Sequence, residues 1–365
     1  MTKKVLTVVG TRPNFIKITQ LKKEAAKSNG ALELKIVHTG QHTDDKMSAI
    51  FFQQFQLDKP DFFLNIDGKT QASQLAQIIL GLEKIITEFK PDLVMVVGDV
   101  TSTLAGALAA NKCSVKIAHL ESGLRSNDRT MPEEINRILT DEITDIYFVT
   151  EQSGYDNLIA EGRKESQVKF VGNTMIDTLV AFKENIHSST ILKQLNVSEK
   201  AYVLVTMHRP ATVDNKDGLE KLHEIFERIS EKYKIVFPAH PRTKQNIEKF
   251  GLADKYEKLH ITFCEPLDYF SFQKLVADSK FVLTDSGGIQ EETTFLQVPC
   301  ITLRPNTERP ITATLGTNTL CDLNFENIIN LVNQIENGSY KKGEIPKLWD
   351  GKATERVIEA LLTEF

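Results

Sequence analysis

The sequence predicts an α/β protein of two doubly wound domains, each a parallel sheet covered by helices. Three observations lead to this fold class: short apolar runs alternate with stretches of helical periodicity, polar turns follow one strand after another, and 365 residues are too many for one ordinary core. The periodicity breaks between residues 181 and 200 and then restarts. We therefore predict Rossmann-like domains at 1–180 and 181–350 that face each other across a cleft, and a helix at 351–365 that packs back on the first.

The composition and charge of the chain argue against several classes of protein. A net charge of −5 with no basic run argues against nucleic acid as a partner, and no apolar segment approaches the length of a membrane span. The chain enters a strand at once, with no signal-peptide pattern, so we expect a cytoplasmic protein. We expect no metal and no cofactor, because the cysteines lack the paired spacing of a metal site and suit core residues or free thiols. They are Cys113, Cys264, Cys300 and Cys321.

The first domain begins with a predicted strand over residues 3–9, a turn over 10–14 and a helix with apolar residues at helical spacing. Ligands of doubly wound sheets bind at the turns that follow the strands, so Arg12 is a candidate anion ligand. The alternative is a solvated helix start beside a proline. The second strand, residues 34–37, leads to another polar turn at 38–42.

Two acidic residues follow neighbouring buried strands. After a predicted helix over residues 71–89, an apolar strand over 93–97 leads to Asp99, and a strand over 115–120 leads to Glu121. A carboxylate in such a place is costly unless it has a partner or a task, because burial disfavours its charged form. One such acid is often only a helix cap, but two acids aimed at one crevice indicate chemistry.

A third acid stands at a predicted helix start. Pro132 suits the first helical position, and Glu133 and Glu134 suit the first turn. These preferences alone would explain both acids. The turn also concentrates further charges, which favours a polar site over a simple cap. These charges are Arg125, Asp128, Arg129 and Arg137.

The second domain carries two histidines at strand ends. Predicted strands over residues 203–206 and 235–237 are followed by His208 and His240, and a third strand is predicted over 261–263. Histidine changes charge near neutral pH and can donate or accept a proton. The alternative for each histidine is a capping or core residue.

A glycine-containing turn in this domain predicts a phosphate site. An apolar strand over residues 281–283 leads to Ser286, Gly287 and Gly288, and a helix follows. The first N–H groups of a helix have no partner within it and lie at the positive end of its dipole, so they can bind phosphate. Glu292, one turn into the helix, can accept hydrogen bonds from a ribose. The alternative is a helix that merely begins with a flexible glycine pair.

Other nucleotide-binding patterns are missing from the sequence. There is no P-loop lysine pattern and no Gly-x-Gly-x-x-Gly after the first strand, so neither P-loop hydrolysis nor nicotinamide chemistry is supported. Arg309, after a predicted strand over residues 298–303, is a further candidate ligand of a diphosphate or ribose. These patterns favour a nucleotide whose diphosphate binds the second domain and whose attached group faces the acids of the first.

Nine sequence blocks, in order along the chain, resemble one family. They are GTRPN at Gly10, GQH at Gly40, GDVTST at Gly98, HLESGLRS at His119, MPEEINR at Met131, VGNTMIDT at Val171, MHRP at Met207, DSGGIQEE at Asp285 and TERP at Thr307. Over nearly its whole length the chain thus resembles the non-hydrolysing UDP-N-acetylglucosamine 2-epimerases, which have the two-domain glycosyltransferase-B architecture.

The resemblance implies three sets of site residues. The implied catalytic residues are Asp99, Glu121, Glu133 and, as general acid near the departing diphosphate, His208. The implied contacts to UDP are Arg12, Lys17, Phe272, Ser286, Gly287, Gly288, Glu292 and Arg309. Bacterial members often bind a second UDP-N-acetylglucosamine as an activator, and the positions that match this site are Gln41, His42, Glu134, Arg209 and His240.

The implied reaction interconverts UDP-N-acetylglucosamine and UDP-N-acetylmannosamine for surface polysaccharide synthesis, by elimination and re-addition of UDP through a 2-acetamidoglucal. Asn14, Val100 and Ser122 depart from the residues common in the family, so a diacetamido-uronic or fucosamine-type UDP-sugar stays a second candidate substrate. A hydrolysing 2-epimerase, a silent sugar sensor and a retaining glycosyltransferase also remain candidate functions. The implied partners are the UDP-sugar, the activating second UDP-sugar and a second copy of the chain in a homodimer, with no nucleic acid and no membrane.

Overall fold

The structure, a computed structural model, describes residues 2–41 and 53–364. It divides into two compact units: unit 1 comprises residues 1–181 and 347–365, and unit 2 comprises residues 182–346. Each unit has its own parallel sheet and its own buried apolar core. The predicted fold class, two Rossmann-like doubly wound α/β units, is confirmed.

The described part of unit 1 has a seven-stranded parallel sheet. Its strands are β1 (Lys3–Val9), β2 (Leu32–His38), β3 (Phe62–Phe63), β4 (Leu93–Val97), β5 (Lys116–Leu120), β6 (Ile146–Val149) and β7 (Val168–Phe170). Their order across the sheet is β3-β2-β1-β4-β5-β6-β7. The winding direction reverses between β1 and β4, so the turns after these two strands lie side by side, at the edge where doubly wound sheets bind ligands.

Helices cover this sheet, and their sequence patterns explain them. They are α1 (Arg12–Ile18), α2 (Leu21–Ala26), α3 (Gln71–Phe89), α4 (Thr101–Lys112), α5 (Pro132–Glu142), α6 (Gln152–Ala160) and α7 (Thr174–Ala181), with a 3₁₀ turn at Glu165–Gln167. The bounds of α3 are those predicted, because Ile78 and Leu82 keep helical spacing and are buried. The Thr70 side chain caps its first turn, and Lys90, in the left-handed region at φ +53°, ends it.

Unit 2 repeats the same winding with six parallel strands. They are β8 (Tyr202–Thr206), β9 (Lys234–Pro238), β10 (Ile261–Cys264), β11 (Val282–Thr284), β12 (Cys300–Leu303) and β13 (Asn318–Cys321). Their order is β10-β9-β8-β11-β12-β13, so the winding direction reverses between β8 and β11. The turns after β8 and β11 therefore lie side by side at the ligand-binding edge of this sheet.

Two helices of unit 2 lie between residues 181 and 200, where the periodicity of the sequence breaks. The helices of unit 2 are, in chain order, α8 (Lys183–His187), α9 (Ile191–Gln194), α10 (Pro210–Val213), α11 (Lys216–Ser230), α12 (Pro241–Lys249), α13 (Ala253–Glu257), α14 (Tyr269–Asp278), α15 (Gly287–Leu296), α16 (Pro310–Thr314) and α17 (Phe325–Glu336). Ile191 in α9 is buried in the core of unit 2. In neither described range is a helix both long and apolar enough to cross a bilayer.

Two short strands were not among those predicted from the sequence. The first, β3, has only two residues. The second, β13, begins with Asn318, whose side-chain oxygen accepts a hydrogen bond of 2.6 Å from the hydroxyl of Thr302 in β12.

Strand β12 begins at Cys300 and not at the predicted residue 298, because Pro299 has no N–H to donate to the ladder.

The chain returns to unit 1 at residue 347 and ends in α18 (Ala353–Thr363). Trp349 is buried and donates from Nε1 to the carbonyl of Thr150 at 3.0 Å. The buried carboxylate of Asp177, in α7, accepts the backbone N–H groups of Ala353 at 3.0 Å and Thr354 at 2.5 Å. A side chain from another helix therefore caps the start of α18.

Removal of this cap should loosen α18. Asp177→Ala is expected to lower the free energy of unfolding by about 1–2 kcal/mol, because two N–H groups lose their acceptor. Hydrogen exchange of the α18 amides should accelerate more than exchange elsewhere in unit 1. The control is Glu359→Ala on the exposed face of α18, and equal losses of stability in the two variants would contradict the capping role.

Candidate active site

Asn14 ties the turn after β1 to the end of β4. Its side-chain oxygen accepts hydrogen bonds from the backbone N–H groups of Gly10 at 3.1 Å and Thr11 at 3.2 Å. Its side-chain nitrogen donates to the carbonyl of Val97 at 3.0 Å. A carboxylate at this position would have no hydrogen to donate to Val97. Both halves of the Asn14 amide are therefore needed to hold these two turns together.

Glu121, just after β5, forms a buried ion pair with Lys17. Lys17 Nζ lies 2.6 Å from Glu121 Oε2, and the two side chains are 6% and 4% exposed. The φ of Glu121 is +72°, in the left-handed region, which costs a non-glycine residue about 1–3 kcal/mol. Gly98 leaves room for the pair, because a Cβ there would lie 3.1 Å from Lys17 Nζ. A left-handed backbone and a buried charge pair at a strand end are features for which Glu121 stays a candidate site residue.

Asp99, just after β4, is held by the neighbouring helix α5. Arg137 Nη2 donates to Asp99 Oδ2 at 2.5 Å, and the Asn136 side chain donates to the Asp99 carbonyl at 2.9 Å. The Asp99 side chain is 20% exposed, so it is less enclosed than Glu121. A guanidinium therefore orients Asp99 while part of its carboxylate stays accessible to a ligand.

The two adjacent acids at the start of α5 have different surroundings. Glu134 is buried, and its carboxylate accepts the backbone N–H groups of Ser126 and Asn127, both at 2.9 Å, and Arg137 Nη1 at 2.8 Å. Glu133 is partly exposed. Glu134 thus holds the loop that precedes α5, and Glu133 is the more accessible of the two acids.

The other predicted residues of unit 1 lie at the same sheet edge where they are described. Arg12 is the first residue of α1, directly after the turn of β1, and is partly buried. Gln41 Oε1 accepts hydrogen bonds from the backbone N–H and the hydroxyl of Ser102 at 3.0 and 2.6 Å. His42 lies outside the described residues.

In unit 2, the adjacent turns after β8 and β11 bring His208 against Asp285. Asp285 is completely buried, and its Oδ1 lies 2.7 Å from Nδ1 of His208. Its Oδ2 accepts the backbone N–H groups of His208 at 3.0 Å and Arg209 at 2.8 Å. The His208 side chain is 61% exposed, so the carboxylate holds Nδ1 and leaves Nε2 on the exposed side. An oriented, exposed imidazole suits proton transfer.

Asp285 is a candidate site residue that the sequence reasoning missed. Like Asp99, Asp285 is an acid that follows a buried strand at the point where the winding reverses. The same sequence pattern could therefore have identified it. Burial raises the pKa of Asp285, but the hydrogen bond and charge of His208 and the N–H groups of Arg209 and His208 outweigh burial. The net pKa is lowered below its ordinary value of 3.8. Asp285 is therefore ionised at neutral pH.

The start of α15 has the features of an anion site. Ser286 is its N-cap residue, and within the described structure the Ser286 side chain makes no capping hydrogen bond to the helix N–H groups. A Cβ on Gly287 would lie 2.6 Å from Glu308 Oε1 and 2.8 Å from Arg309 Nη1. Glycine at this position thus lets the Arg309 guanidinium lie against the helix start, where backbone N–H groups favour an anion.

Three buried charged residues fix the position of Arg309. Arg309 Nε lies 2.7 Å from Glu291 Oε2, and Arg309 Nη1 donates to Glu308 Oε1. The other oxygen of Glu308 accepts from Arg304 Nη2 at 2.9 Å. Two arginines and two glutamates balance in charge, so burial of the guanidinium is tolerated. The sequence reasoning named only Arg309 of these four.

Gln290 joins the helix start to the loop that carries Arg309. Its Nε2 donates to the carbonyl of Ser286 at 3.3 Å, and its Oε1 accepts from the hydroxyl of Thr307 at 2.8 Å. Thr307 in turn accepts the backbone N–H of Arg309 at 3.1 Å. A buried amide therefore holds the N-cap and Arg309 in one arrangement.

The remaining predicted residues of unit 2 have distinct surroundings. Glu292 is buried on α15, and Phe272 is partly buried and packs against the apolar core of unit 2. His240 is the exposed N-cap of α12, and its Nδ1 accepts the backbone N–H of Arg242 at 3.2 Å. Arg209 Nε donates to the carbonyl of Asp285 at 3.1 Å.

Metal-ligating side chains do not cluster in the part of the chain that the structure describes. No group of three or more His, Cys, Asp or Glu side chains there could hold an ion. The four cysteines are unpaired as disulfides. Burial raises the pKa of Cys300 to about 11, as for a thiol of the core.

The Asp285–His208 pair should make a pH-dependent contribution to stability. Because folding lowers the pKa of Asp285, the carboxylate stabilises the protein above its ordinary pKa of 3.8, and this contribution is lost as the pH falls through the lowered value. Asp285→Asn is expected to lower the free energy of unfolding at neutral pH by about 1–3 kcal/mol, and the difference should shrink below pH 3.8. Urea unfolding at a series of pH values measures it. The exposed Asp254→Asn of unit 2 is the control, and an equal, pH-independent loss in both variants would exclude the pair as its source.

Known proteins resemble this chain along almost its entire length. A sequence model described as UDP-N-acetylglucosamine 2-epimerase matches residues 24–362. The chain is 40% identical over 364 residues to the UDP-N-acetylglucosamine 2-epimerase of Methanocaldococcus jannaschii, which covers 98% of both chains. It is 41% identical over 320 residues to the UDP-2,3-diacetamido-2,3-dideoxy-D-glucuronate 2-epimerase of Pseudomonas aeruginosa, which covers 87% of this chain and 88% of that protein.

A solved structure agrees with these sequence matches. The crystal structure of the Methanocaldococcus jannaschii UDP-GlcNAc 2-epimerase in complex with UDP-GlcNAc and UDP superposes with a TM-score of 0.88 at 39% identity. The match covers 98% of this chain and 99% of that chain. Fold, ordered motifs and matched length agree, and the chain belongs to the UDP-N-acetylglucosamine 2-epimerase family.

Proposed function

We propose that this protein is a non-hydrolysing 2-epimerase that interconverts UDP-N-acetylglucosamine and UDP-N-acetylmannosamine. The observation that carries this proposal is the 40% identity, over 98% of both chains, to a protein named UDP-N-acetylglucosamine 2-epimerase. The described residues support it chemically. Unit 1 holds acids with their own cationic partners, and unit 2 holds an anion site and an oriented histidine.

We assign most of the UDP contacts to unit 2, in addition to Arg12 and Lys17 of unit 1 that the resemblance implies. The start of α15, at Ser286, Gly287 and Gly288, offers backbone N–H groups to the diphosphate, and Arg309 adds a guanidinium held in place by buried glutamates. Glu292 offers carboxylate oxygens to ribose hydroxyls. This division leaves the acids of unit 1 for chemistry at the sugar.

Epimerisation at C2 must break a C–H bond that is barely acidic. In the elimination route a base takes the C2 hydrogen as a proton, the bond from C1 to the diphosphate oxygen breaks, and UDP leaves with the electron pair to give a 2-acetamidoglucal. An acid then protonates C2 on the opposite face, and UDP adds back to C1. The route needs a base and an acid on opposite faces of C2.

We assign these roles to described side chains. Asp99, Glu121 and Glu133 are the acid–base set. His208 donates a proton from Nε2 to the departing diphosphate, with Asp285 holding its Nδ1 at 2.7 Å. Arg137 and Lys17 keep two of the acids in place through contacts of 2.5 and 2.6 Å.

The product distinguishes the candidate reactions. Proton NMR of the protein with UDP-N-acetylglucosamine in D₂O is expected to show UDP-N-acetylmannosamine with deuterium at C2 and little free UDP, because C2 is reprotonated from solvent and UDP adds back. Free N-acetylmannosamine with an equal amount of UDP would identify a hydrolysing 2-epimerase. Intact C2 hydrogen and unchanged substrate would contradict the proposal.

A second candidate substrate has its own support. The Pseudomonas aeruginosa relative is named for a diacetamido-glucuronate, yet its identity of 41% is close to the 40% of the Methanocaldococcus jannaschii relative. Overall identity therefore favours neither sugar. Deuterium incorporation with UDP-2,3-diacetamido-2,3-dideoxy-D-glucuronate and none with UDP-N-acetylglucosamine, in the same assay, would select this second candidate.

Loss of single acids should stop proton transfer without unfolding the protein. Asp99→Asn and Glu121→Gln are each expected to lower kcat by about 10²–10⁴-fold, the usual contribution of a general acid or base. Steady-state epimerisation and C2 deuterium exchange measure the loss. The matched control is Glu88→Gln, an exposed acid at the end of α3. Near wild-type kcat in both acid variants would remove these residues from the mechanism.

Three expectations stay predictions. They are an activating second UDP-N-acetylglucosamine, a homodimer and a role in surface polysaccharide synthesis. Among the residues matched to the activator, Glu134 and Gln41 bond to neighbouring groups of unit 1, and His240 caps α12 in unit 2. These contacts fix the side chains in place and are compatible with a ligand that adds further hydrogen bonds.

A further inference from the structure

His119 lies at the centre of a buried polar network in unit 1. It is the fourth residue of β5, and its side chain is completely buried. Its Nε2 lies 2.7 Å from the carbonyl oxygen of Gly98, and its Nδ1 lies 2.6 Å from Asp141 Oδ1. One ring therefore bridges the turn after β4 and the helix α5.

These contacts join the three elements that carry the proposed acid–base set. Gly98 immediately precedes Asp99, His119 itself stands two residues before Glu121, and Asp141 belongs to α5, which has Glu133 in its first turn. The two ring nitrogens are engaged by Gly98 and Asp141, so the influence of His119 on the acids passes through the elements that it joins.

Both ring nitrogens of His119 face acceptors. A peptide carbonyl can only accept, so Nε2 carries a hydrogen that it donates to Gly98. Asp141 Oδ2 accepts Arg125 Nη1 and the backbone N–H of Gly123, and these donors favour the ionised carboxylate, so Asp141 also only accepts. The hydrogen-bond geometry therefore calls for a hydrogen on Nδ1 as well, which is the imidazolium form of the ring.

The groups around this imidazolium balance its charge. Asp141 Oδ2 accepts the backbone N–H of Gly123 at 3.1 Å and Arg125 Nη1 at 2.7 Å. Arg125 donates from Nε and Nη2 to both oxygens of Glu161 at 2.8 and 2.7 Å. The phenol of Tyr147 donates to the carbonyl of Asp141 at 2.8 Å. Two cations and two carboxylates thus form a neutral, hydrogen-bonded set, the arrangement in which buried charges are tolerated.

The Gly98 carbonyl controls the placement of Asp99. Gly98 has a φ of +67°, in the region that favours glycine, and its carbonyl is directed at the His119 ring. The carbonyl belongs to the planar peptide that leads into Asp99, so rotation of that peptide would move Asp99. Without a donor at His119, a buried carbonyl would lose its partner, and the peptide would be free to turn toward another one.

We propose that His119 is a positioning residue for proton transfer: its doubly protonated ring places Asp99 through the Gly98 carbonyl and places α5 through Asp141. This inference rests on the proposed function of the acids, and His119 itself does not touch the substrate. Its effect belongs to the chemical step, because its two partners, Gly98 and Asp141, are not among the implied UDP contacts. A small misplacement of a catalytic group is enough to slow that step by about 10²-fold.

Two amide variants separate the two hydrogen bonds of the ring. His119→Gln places an amide nitrogen near the position of Nε2 and keeps a donor for Gly98, whereas His119→Asn places one near Nδ1 and keeps a donor only for Asp141. His119→Asn is expected to lower kcat by about 10²-fold with KM for the UDP-sugar changed by less than about threefold. His119→Gln is expected to recover at least about tenfold of that loss.

Tyr147→Phe is the matched control for stability. It removes a buried hydrogen bond from the same network without affecting the bond to Gly98. Thermal unfolding of all three variants gives the loss of stability, and kcat is compared at a temperature where each is folded. Equal loss of kcat in both His119 variants, a loss of kcat in Tyr147→Phe of similar size, or unchanged kcat in His119→Asn would each overturn the proposal.

A measurement without turnover tests the imidazolium separately. In protein labelled with ¹⁵N at histidine, the ring signals that disappear in His119→Gln belong to His119, and they are expected to show two protonated nitrogens at neutral pH. One unprotonated nitrogen would overturn the proposal. Because this result does not depend on the substrate, a wild-type protein that is inactive on UDP-N-acetylglucosamine but has the doubly protonated ring would contradict the proposed function and leave the network intact.

Discussion

Parallel pairing directs the carboxyl ends of all strands in a unit to one sheet edge, and both units are organised by this constraint. In unit 1 it aligns the turns after β1, β4 and β5, which are neighbours in the sheet. In unit 2 it aligns the turns after β8, β11 and β12. The central strands are covered on both faces and consist almost wholly of buried apolar residues, so polar groups appear where these strands end. The polar side chains of the candidate site therefore lie at these two sheet edges.

Ion pairs hold the acidic side chains at the ligand-binding edge of the sheet in unit 1. Buried ions are tolerated only with a partner, and the described acids have specific ones: Lys17 for Glu121, and Arg137 for Asp99 and Glu134. The cations come from α1 and α5, so the helices that cover the sheet also set the positions of the acids. Glu121 combines its ion pair with a left-handed backbone.

The candidate site residues of unit 2 include many hydrogen-bond donors, whereas those of unit 1 include several acidic side chains. The start of α15 presents backbone N–H groups, and glycine at position 287 lets Arg309 approach them closely. Both carboxylate oxygens of Asp285 contact the turn after β8. Oδ1 holds the His208 ring, and Oδ2 accepts two backbone N–H groups. A buried carboxylate thus fixes both the conformation of the turn and the orientation of the exposed imidazole. The different chemistry of the two edges suits a reaction that separates anion binding from proton transfer.

By itself the sequence determined the alternation of strands and helices, the bounds of α3 and the location of Asp99, Glu121 and His208 at strand ends, because these depend on local periodicity and on the rules of parallel sheets. It did not predict β13, a short strand that begins with the buried polar Asn318. Only the tertiary structure decided which charges meet: Lys17 with Glu121, His208 with Asp285, and His119 with both Gly98 and Asp141. These pairs join residues on different elements, and the spacing of residues along a chain does not specify which side chains will pack together once the sheets have formed.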